Sequence, residues 1–295
     1  MKLIVNYFLT DNDLTKASAV LRVRGPDANT YLQGQFSQDL RLADGAAAYG
    51  LWLDLKGKVL ADSHVLKLAQ NIFLVVSFSS TAAQLLMRLQ SYLIADEVEL
   101  VDESRDWSSV LFWGDGVADI VPPAGGLVLP SRRAGLDGVQ WLVPVHQNEV
   151  VSAQLKKFPS IKGDRTGAEL ARLRAGVPAV PVDIGSRDLP NEGGLDEVAI
   201  SYTKGCYLGQ EVMARLKNLG QVRRRLHLVQ GGGVPPTPGT ALYQGDRKVG
   251  ETRSAVADGD NFLTLAMLSL VNLDPAAGLG LAPGLPPVLK ILRRV

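Results

Sequence analysis

Between residues 47 and 78 the chain runs through strand after strand with no room for a helix between them. Residues 47–55 form an apolar strand, Lys56-Gly57-Lys58 turns the chain into Val59-Leu60-Ala61, and strands at 64–69 and 72–78 follow at once. Elements of both kinds surround this block. Residues 20–24 read as a short strand, and Gly25-Pro26-Asp27 opens a helix carrying Tyr31 and Leu32, with Asp27 at its N-cap. Ser79 or Ser80 caps an amphipathic helix whose apolar face holds Ala82, Leu85, Leu86, Leu89 and Leu93. Strands at 98–101 and 110–113 continue the alternation. The fold class is α+β, built from neighbouring strands and not from a regular βαβ repeat.

Further along, residues 122–126 form a Pro/Gly loop, 139–145 a strand, and 148–157 and 166–175 two helices. Residues 176–200 are irregular, and a loop of that length inside a compact domain is more often functional than idle. The texture changes near residue 222. Short β-like runs at 226–229, 241–243, 248–252, 262–271 and 288–292 alternate with Gly/Pro turns, the pattern of a small antiparallel barrel or sandwich. The chain therefore divides into a region 1–221, two intertwined subdomains, and a C-terminal barrel at 222–295.

Composition closes off several functions. The formal net charge is +1, so a general nucleic-acid surface is not expected and any anion site must be local. No apolar run reaches the length of a membrane span, and the start of the chain lacks a full signal-peptide core, which reads as cytoplasmic. A single cysteine forms no internal disulfide. His64, His146 and His227 are scattered without metal-ligand spacing, so no metal site is expected and one cysteine holds no cluster alone.

The richest segment is Lys204-Gly205-Cys206-Tyr207-Leu208-Gly209-Gln210-Glu211, which leads into a helix over 212–217. A thiol before a helix N-terminus, with Lys204 two residues away, is placed to have its thiolate favoured. Two readings stand: a poised thiol beside a ligand pocket, or a buried structural cysteine between turn glycines. Arg215, Lys217, Arg223, Arg224 and Arg225 cluster locally, either as an anion clamp or as a charged strand edge guarding against aggregation.

The eight residues from Lys204 resemble the K-G-C-[FY]-x-G-Q-E signature of the YgfZ family. Tyr31-Leu32-Gln33-Gly34-Gln35-Phe36-Ser37-Gln38-Asp39 is similar to that family's F-L-Q-G-x-x-T-x-D element. Gly57-Lys58-Val59-Leu60-Ala61-Asp62 resembles its G-[RK]-x-x-x-D hairpin, and Arg174-Ala175-Gly176-Val177-Pro178 its A-G-x-P turn. The resemblance implies a GcvT/YgfZ-like arrangement of domains around a central tetrahydrofolate site. It implies an accessory role in iron–sulfur cluster assembly or repair, with indirect support of tRNA modification. Partners would be iron–sulfur client or assembly proteins, with no nucleic acid bound directly and the chain a monomer. Carried over by position, Cys206 and Lys204 are the reactive residues, and Asp62, Tyr207, Gln210, Glu211 and Arg223 face the folate.

Two positions depart from the pattern. The related aminomethyltransferases of glycine cleavage place two aspartates in the hairpin, and here Ala61 stands in the first place. Asp62 is then either an acid or base toward a folate nitrogen or a hairpin-end carboxylate satisfying backbone N–H groups. Arg172-Leu173-Arg174-Ala175-Gly176 resembles an R-x-E-A-G turn whose glutamate pairs with pterin amines, and Arg174 has donors only. Either the pterin is held differently, the ligand differs, or Arg174 meets a carboxylate elsewhere. The alternative of a true aminomethyltransferase is disfavoured by both departures, and a non-catalytic docking scaffold is the third candidate.

Overall fold

Among the residues described by the computed structural model (5–8, 19–114, 117, 120–157, 160–220 and 222–295), strands pair into three five-stranded sheets. The remainder of the N-terminal run, and with it the reading of that end, lies outside them. The first sheet has the order β3 (Ala47–Leu53), β4 (Val59–Ala69), β5 (Ile72–Ser77), β2 (Ala19–Arg24), β6 (Glu99–Asp102), antiparallel throughout. β4 is one continuous strand where the apolar pattern broke at Asp62 and Ser63. Both polar residues are satisfied from β3: the Tyr49 hydroxyl donates to Asp62 Oδ2 at 2.9 Å and the Trp52 indole N–H to Ser63 Oγ at 2.9 Å. A polar residue with a cross-strand partner does not end a strand.

Helices α1 (Ala28–Gln35) and α2 (Ala82–Gln90) cover one face of this sheet over Leu32, Phe36, Trp52 and Phe73. Each such fully buried side chain contributes about 1.5–3 kcal/mol relative to exposure. The cap of α2 is Thr81 and not Ser79 or Ser80: its hydroxyl accepts from Gln84 N–H while Gln84 Oε1 accepts from Thr81 N–H, a capping box. Asp27 makes no side-chain cap bond to α1, because its carboxylate accepts from the Glu97 N–H across the sheet end at 2.8 Å.

The second sheet has the order β10 (Ser160–Gly163), β1 (Val5–Phe8), β7 (Trp107–Gly114), β9 (Gly138–Pro144), β8 (Leu127–Ser131), with β1 and β10 parallel. β8 tolerates Pro130 because it is an edge strand. α3 (Asn148–Leu155) buries Val151 and Leu155 against Phe112 and Trp141. The first and second sheets meet through Leu66, Leu74 and Val76 on one side and Leu129 and Leu142 on the other.

The third sheet has the order β12 (Ala241–Gln244), β13 (Arg247–Asp258), β14 (Asn261–Ser269), β11 (Arg224–Gly232), β15 (Leu289–Arg294). It corrects the expected closed barrel. The sheet is open, and among the described residues its edge strands are linked only through isolated bridges from Tyr243 to Gly280 and from Leu279 to Leu289. Segment 270–288 is too rich in turn residues, with Pro275, Pro283, Pro286 and Pro287, to supply a closing strand. A shared core of Leu51, Leu53, Leu173, Ile184, Met213, Leu228 and Met267 joins the first sheet, the irregular segment, α4 (Arg165–Ala175), α5 (Gln210–Leu219) and the third sheet. Among the described residues no helix is long and apolar enough to cross a membrane.

Candidate functional site

Where the three sheets converge there is a cavity of about 690 Å³, walled by β3, β4, the end of β5, β7, β8, α4, the 177–182 loop and Ser254 of β13. Strand alternation supplies its floor. On β4, Ala61 and Val65 point into the core beneath the helices, while Asp62 and His64 line the cavity. Tyr49 pairs with His64 across the ladder, with ring centroids 5.1 Å apart, and His64 lies 6.1 Å from Phe78. Burial pushes the Asp62 carboxyl up to about 6, against the Tyr49 hydrogen bond and the nearby Arg133 charge, which favour ionisation. Burial also pulls His64 down to about 4, so its ring is neutral at pH 7. Asp62 is therefore a cavity carboxyl. The hairpin-end role falls to Asp54, whose Oδ1 accepts from the N–H groups of Lys56 and Lys58.

The opposite wall is basic. Arg132, Arg133 and Arg165 all line the cavity, and none forms an ion pair among the described residues. Arg132 Nε is buried without a hydrogen-bond partner. Arg133 lies over the Phe78 ring at 4.9 Å and reaches Gln140 Oε1 at 3.4 Å. Arg172 is different. It is buried, and four of its five N–H groups are taken by Glu169 Oε2, Asp183 Oδ2 and the Val177 carbonyl, so it fixes the wall. The cavity thus offers aromatic faces, two carboxyl groups at Asp62 and Glu169, and unneutralised guanidinium groups. A flat heteroaromatic ring with N–H donors and an anionic extension, as in folate, fits that donor set.

Of the residues expected to face folate, only Asp62 lines this cavity; Tyr207, Gln210, Glu211 and Arg223 do not. Tyr207 is buried in the shared core, Glu211 pairs with Arg215 along α5 at 2.9 Å, and Arg223 is exposed beside β11. The expected anion clamp is not assembled, because Arg224 turns inward to Asp188 and Glu192 and Arg225 donates to the Val295 carbonyl. Arg174 also stays out of the cavity. It makes two bonds to Asp258, at 2.8 and 2.9 Å, which is the outcome in which it meets a carboxylate elsewhere. Sequence reasoning missed Tyr49, Arg132, Arg133 and Glu169. The spacing of Asp62 and His64 on one strand, opposite an aromatic strand, was the available signal.

Cys206 is exposed, which overturns the buried structural cysteine, and it does not line this cavity. It lies four residues before α5, in a turn braced by the Leu208 N–H bond to the Gly34 carbonyl. Gly209 closes that turn with φ +86°, where the Asp54 carbonyl leaves no room for a Cβ. Lys204 is a positioning residue. Its buried ammonium donates to the carbonyls of Gln33, Phe36 and Gln38 at 2.6–3.1 Å and so caps the C-terminal end of α1, where a cation complements the helix dipole. Burial holds its pKa down, to about 8. Among the described residues no group of three or more His, Cys, Asp or Glu side chains could hold a metal ion.

A mixed fold of helices and largely antiparallel sheets is that of the GcvT-like proteins. The glycine cleavage system aminomethyltransferase T from Bartonella henselae matches with a TM-score of 0.76 over 92% of this chain and 80% of that one, at 17% identity. The model of the GCVT N-terminal domain matches residues 13–125. The iron–sulfur cluster assembly factor IBA57 of Homo sapiens is 30% identical over 282 residues, 84% of this chain and 74% of its own. The tRNA-modifying protein YgfZ of Vibrio vulnificus is 25% identical over 253 residues, 81% and 75% of the two chains. The chain belongs to the YgfZ/IBA57 family of the GcvT-like superfamily.

Proposed function

We propose that the chain is a tetrahydrofolate-binding accessory protein for iron–sulfur cluster assembly or repair, supporting tRNA modification through its clients. The observation that carries the folate half is the donor set of the central cavity, with Tyr49, His64 and Phe78 beside the Asp62 carboxyl and arginines without counter-ions. When bound, tetrahydrofolate supplies a carrier for one-carbon units. The chain's own residues hold it: Asp62 keeps a proton up to about pH 6, and the neutral His64 presents a ring face and not a charge. The iron–sulfur half rests on the family, in which the human relative is named an assembly factor and the Vibrio relative a tRNA-modifying protein. Cys206 offers an exposed thiol to such clients. In this reading the chain works in the cytoplasm as a monomer whose last domain spans residues 222–295.

Calorimetry with tetrahydrofolate and the full chain tests the first half: saturable one-to-one binding is expected, and no binding at millimolar ligand sinks it. Complementation of a strain lacking its family member tests the second. The exposed Cys206→Ser should fold and melt as the parent does yet fail to complement, and full rescue by it overturns the role of the thiol.

A further inference from the structure

Two carboxyl groups line the cavity from different elements, Asp62 on β4 and Glu169 on α4. Glu169 Oε2 takes both hydrogen bonds from Arg172, so the side chain is held in place while Oε1 has no protein donor among the described residues. Arg133 lies within electrostatic reach of both carboxylates without pairing to either within 4.0 Å. The one hydrogen bond of its guanidinium, to Gln140 Oε1, is long at 3.4 Å, and the other guanidinium N–H groups have no protein acceptor among the described residues. A pinned carboxylate oxygen and a guanidinium with open donors, set near one another, present an acceptor beside donors. That is the complement of a cyclic amide edge, in which a ring N–H and an amino group sit next to a carbonyl oxygen.

We infer that Glu169 and Arg133 read the amide edge of the bound heterocycle, Glu169 accepting from its N–H groups and Arg133 donating to its ring carbonyl. The inference rests on the folate reading and deepens it by assigning ring specificity to two residues outside the signature segments. It predicts a preference that needs no mutation to test. An analogue whose ring carbonyl is replaced by an amino group turns a donor toward Arg133 and loses the acceptor.

The experiment is calorimetry on the full chain with tetrahydrofolate and with its 4-amino analogue, on the parent, Glu169→Gln and Arg133→Met, with thermal melting as the folding check. The parent should favour the 4-oxo ligand by about 10-fold or more, the scale of one hydrogen bond to a charged group. Glu169→Gln should weaken both ligands by about 10- to 100-fold, and Arg133→Met should weaken the 4-oxo ligand and narrow the preference. Equal or tighter binding of the 4-amino analogue by the parent overturns the inference while leaving the folate reading standing. So does parent-like binding by both folded variants. Absence of tetrahydrofolate binding by the parent removes the folate reading, and the inference with it.

Discussion

Asp62 and His64 are two residues apart on one strand, and burial moves their proton affinities in opposite directions. Between pH 4 and 6 the folded chain keeps a proton on Asp62 that the unfolded chain has released, so rising pH removes stability there. Over nearly the same window, from about 4 to the ordinary 6.5, the unfolded chain holds a proton on His64 that the folded chain rejects, so rising pH adds stability. The two slopes offset each other in the parent. Asp62→Asn should unmask the histidine: its stability, from urea midpoints at pH 4.5, 5.5 and 6.5, should climb by about 2 kcal/mol between the first and last of these. A profile unchanged from the parent would contradict the buried, paired placement of these groups. Neither effect was legible in the sequence, because Asp62 was visible only as a motif position and His64 only as an isolated histidine. Their common property is a shared strand face under a third element, and strand spacing alone does not say what packs over it.

At the scale of elements, the β3–β4 hairpin is the part whose two ends serve different surfaces. Its strands carry Tyr49, Asp62 and His64 into the cavity, and its tip packs on the turn that bears Cys206 and on α5, with Gly209 of the turn against Asp54 and Met213 of α5 against Gly57. Gly209 has φ +86°, and a Cβ there would stand 2.8 Å from the Asp54 oxygen, so neither the conformation nor the space admits a side chain. Gly209→Ala should cost about 1–3 kcal/mol, read as a lower melting temperature, and should raise the reactivity of Cys206 toward a thiol reagent by loosening its turn. An alanine variant with the parent's melting temperature would show that the turn is not held this way. The hairpin, α2 and α4 could be anticipated from apolar spacing and turn residues. β8 could not, because Pro130 argues against a strand until its edge position is known.

For the whole molecule, the junction is electrostatic as well as apolar. Asp188, buried in the irregular segment, accepts from Arg224 of β11 and Arg253 of β13, while its carbonyl accepts from the Val59 N–H of β4. Asp188→Ala leaves two guanidinium groups at this junction short of an acceptor and should cost about 3–5 kcal/mol in chemical denaturation. A loss below 1 kcal/mol would mean that the sheets are held by their apolar contacts alone. The family was readable because its signature is local in the chain. The cavity was not, because its walls come from segments more than a hundred residues apart, and the residues of the signature turned out to brace the molecule around an exposed thiol instead of lining the pocket. Lys204 makes this concrete, and it bears on biosynthesis. Its three acceptors sit 166 to 171 residues earlier in the chain. On a ribosome, the first helix therefore emerges with its end unfinished and keeps those carbonyls open to water until most of the protein has been made. A nascent chain stopped before residue 204 has no ammonium to close it, so the last step in completing one of the earliest elements waits on the signature that marks the family.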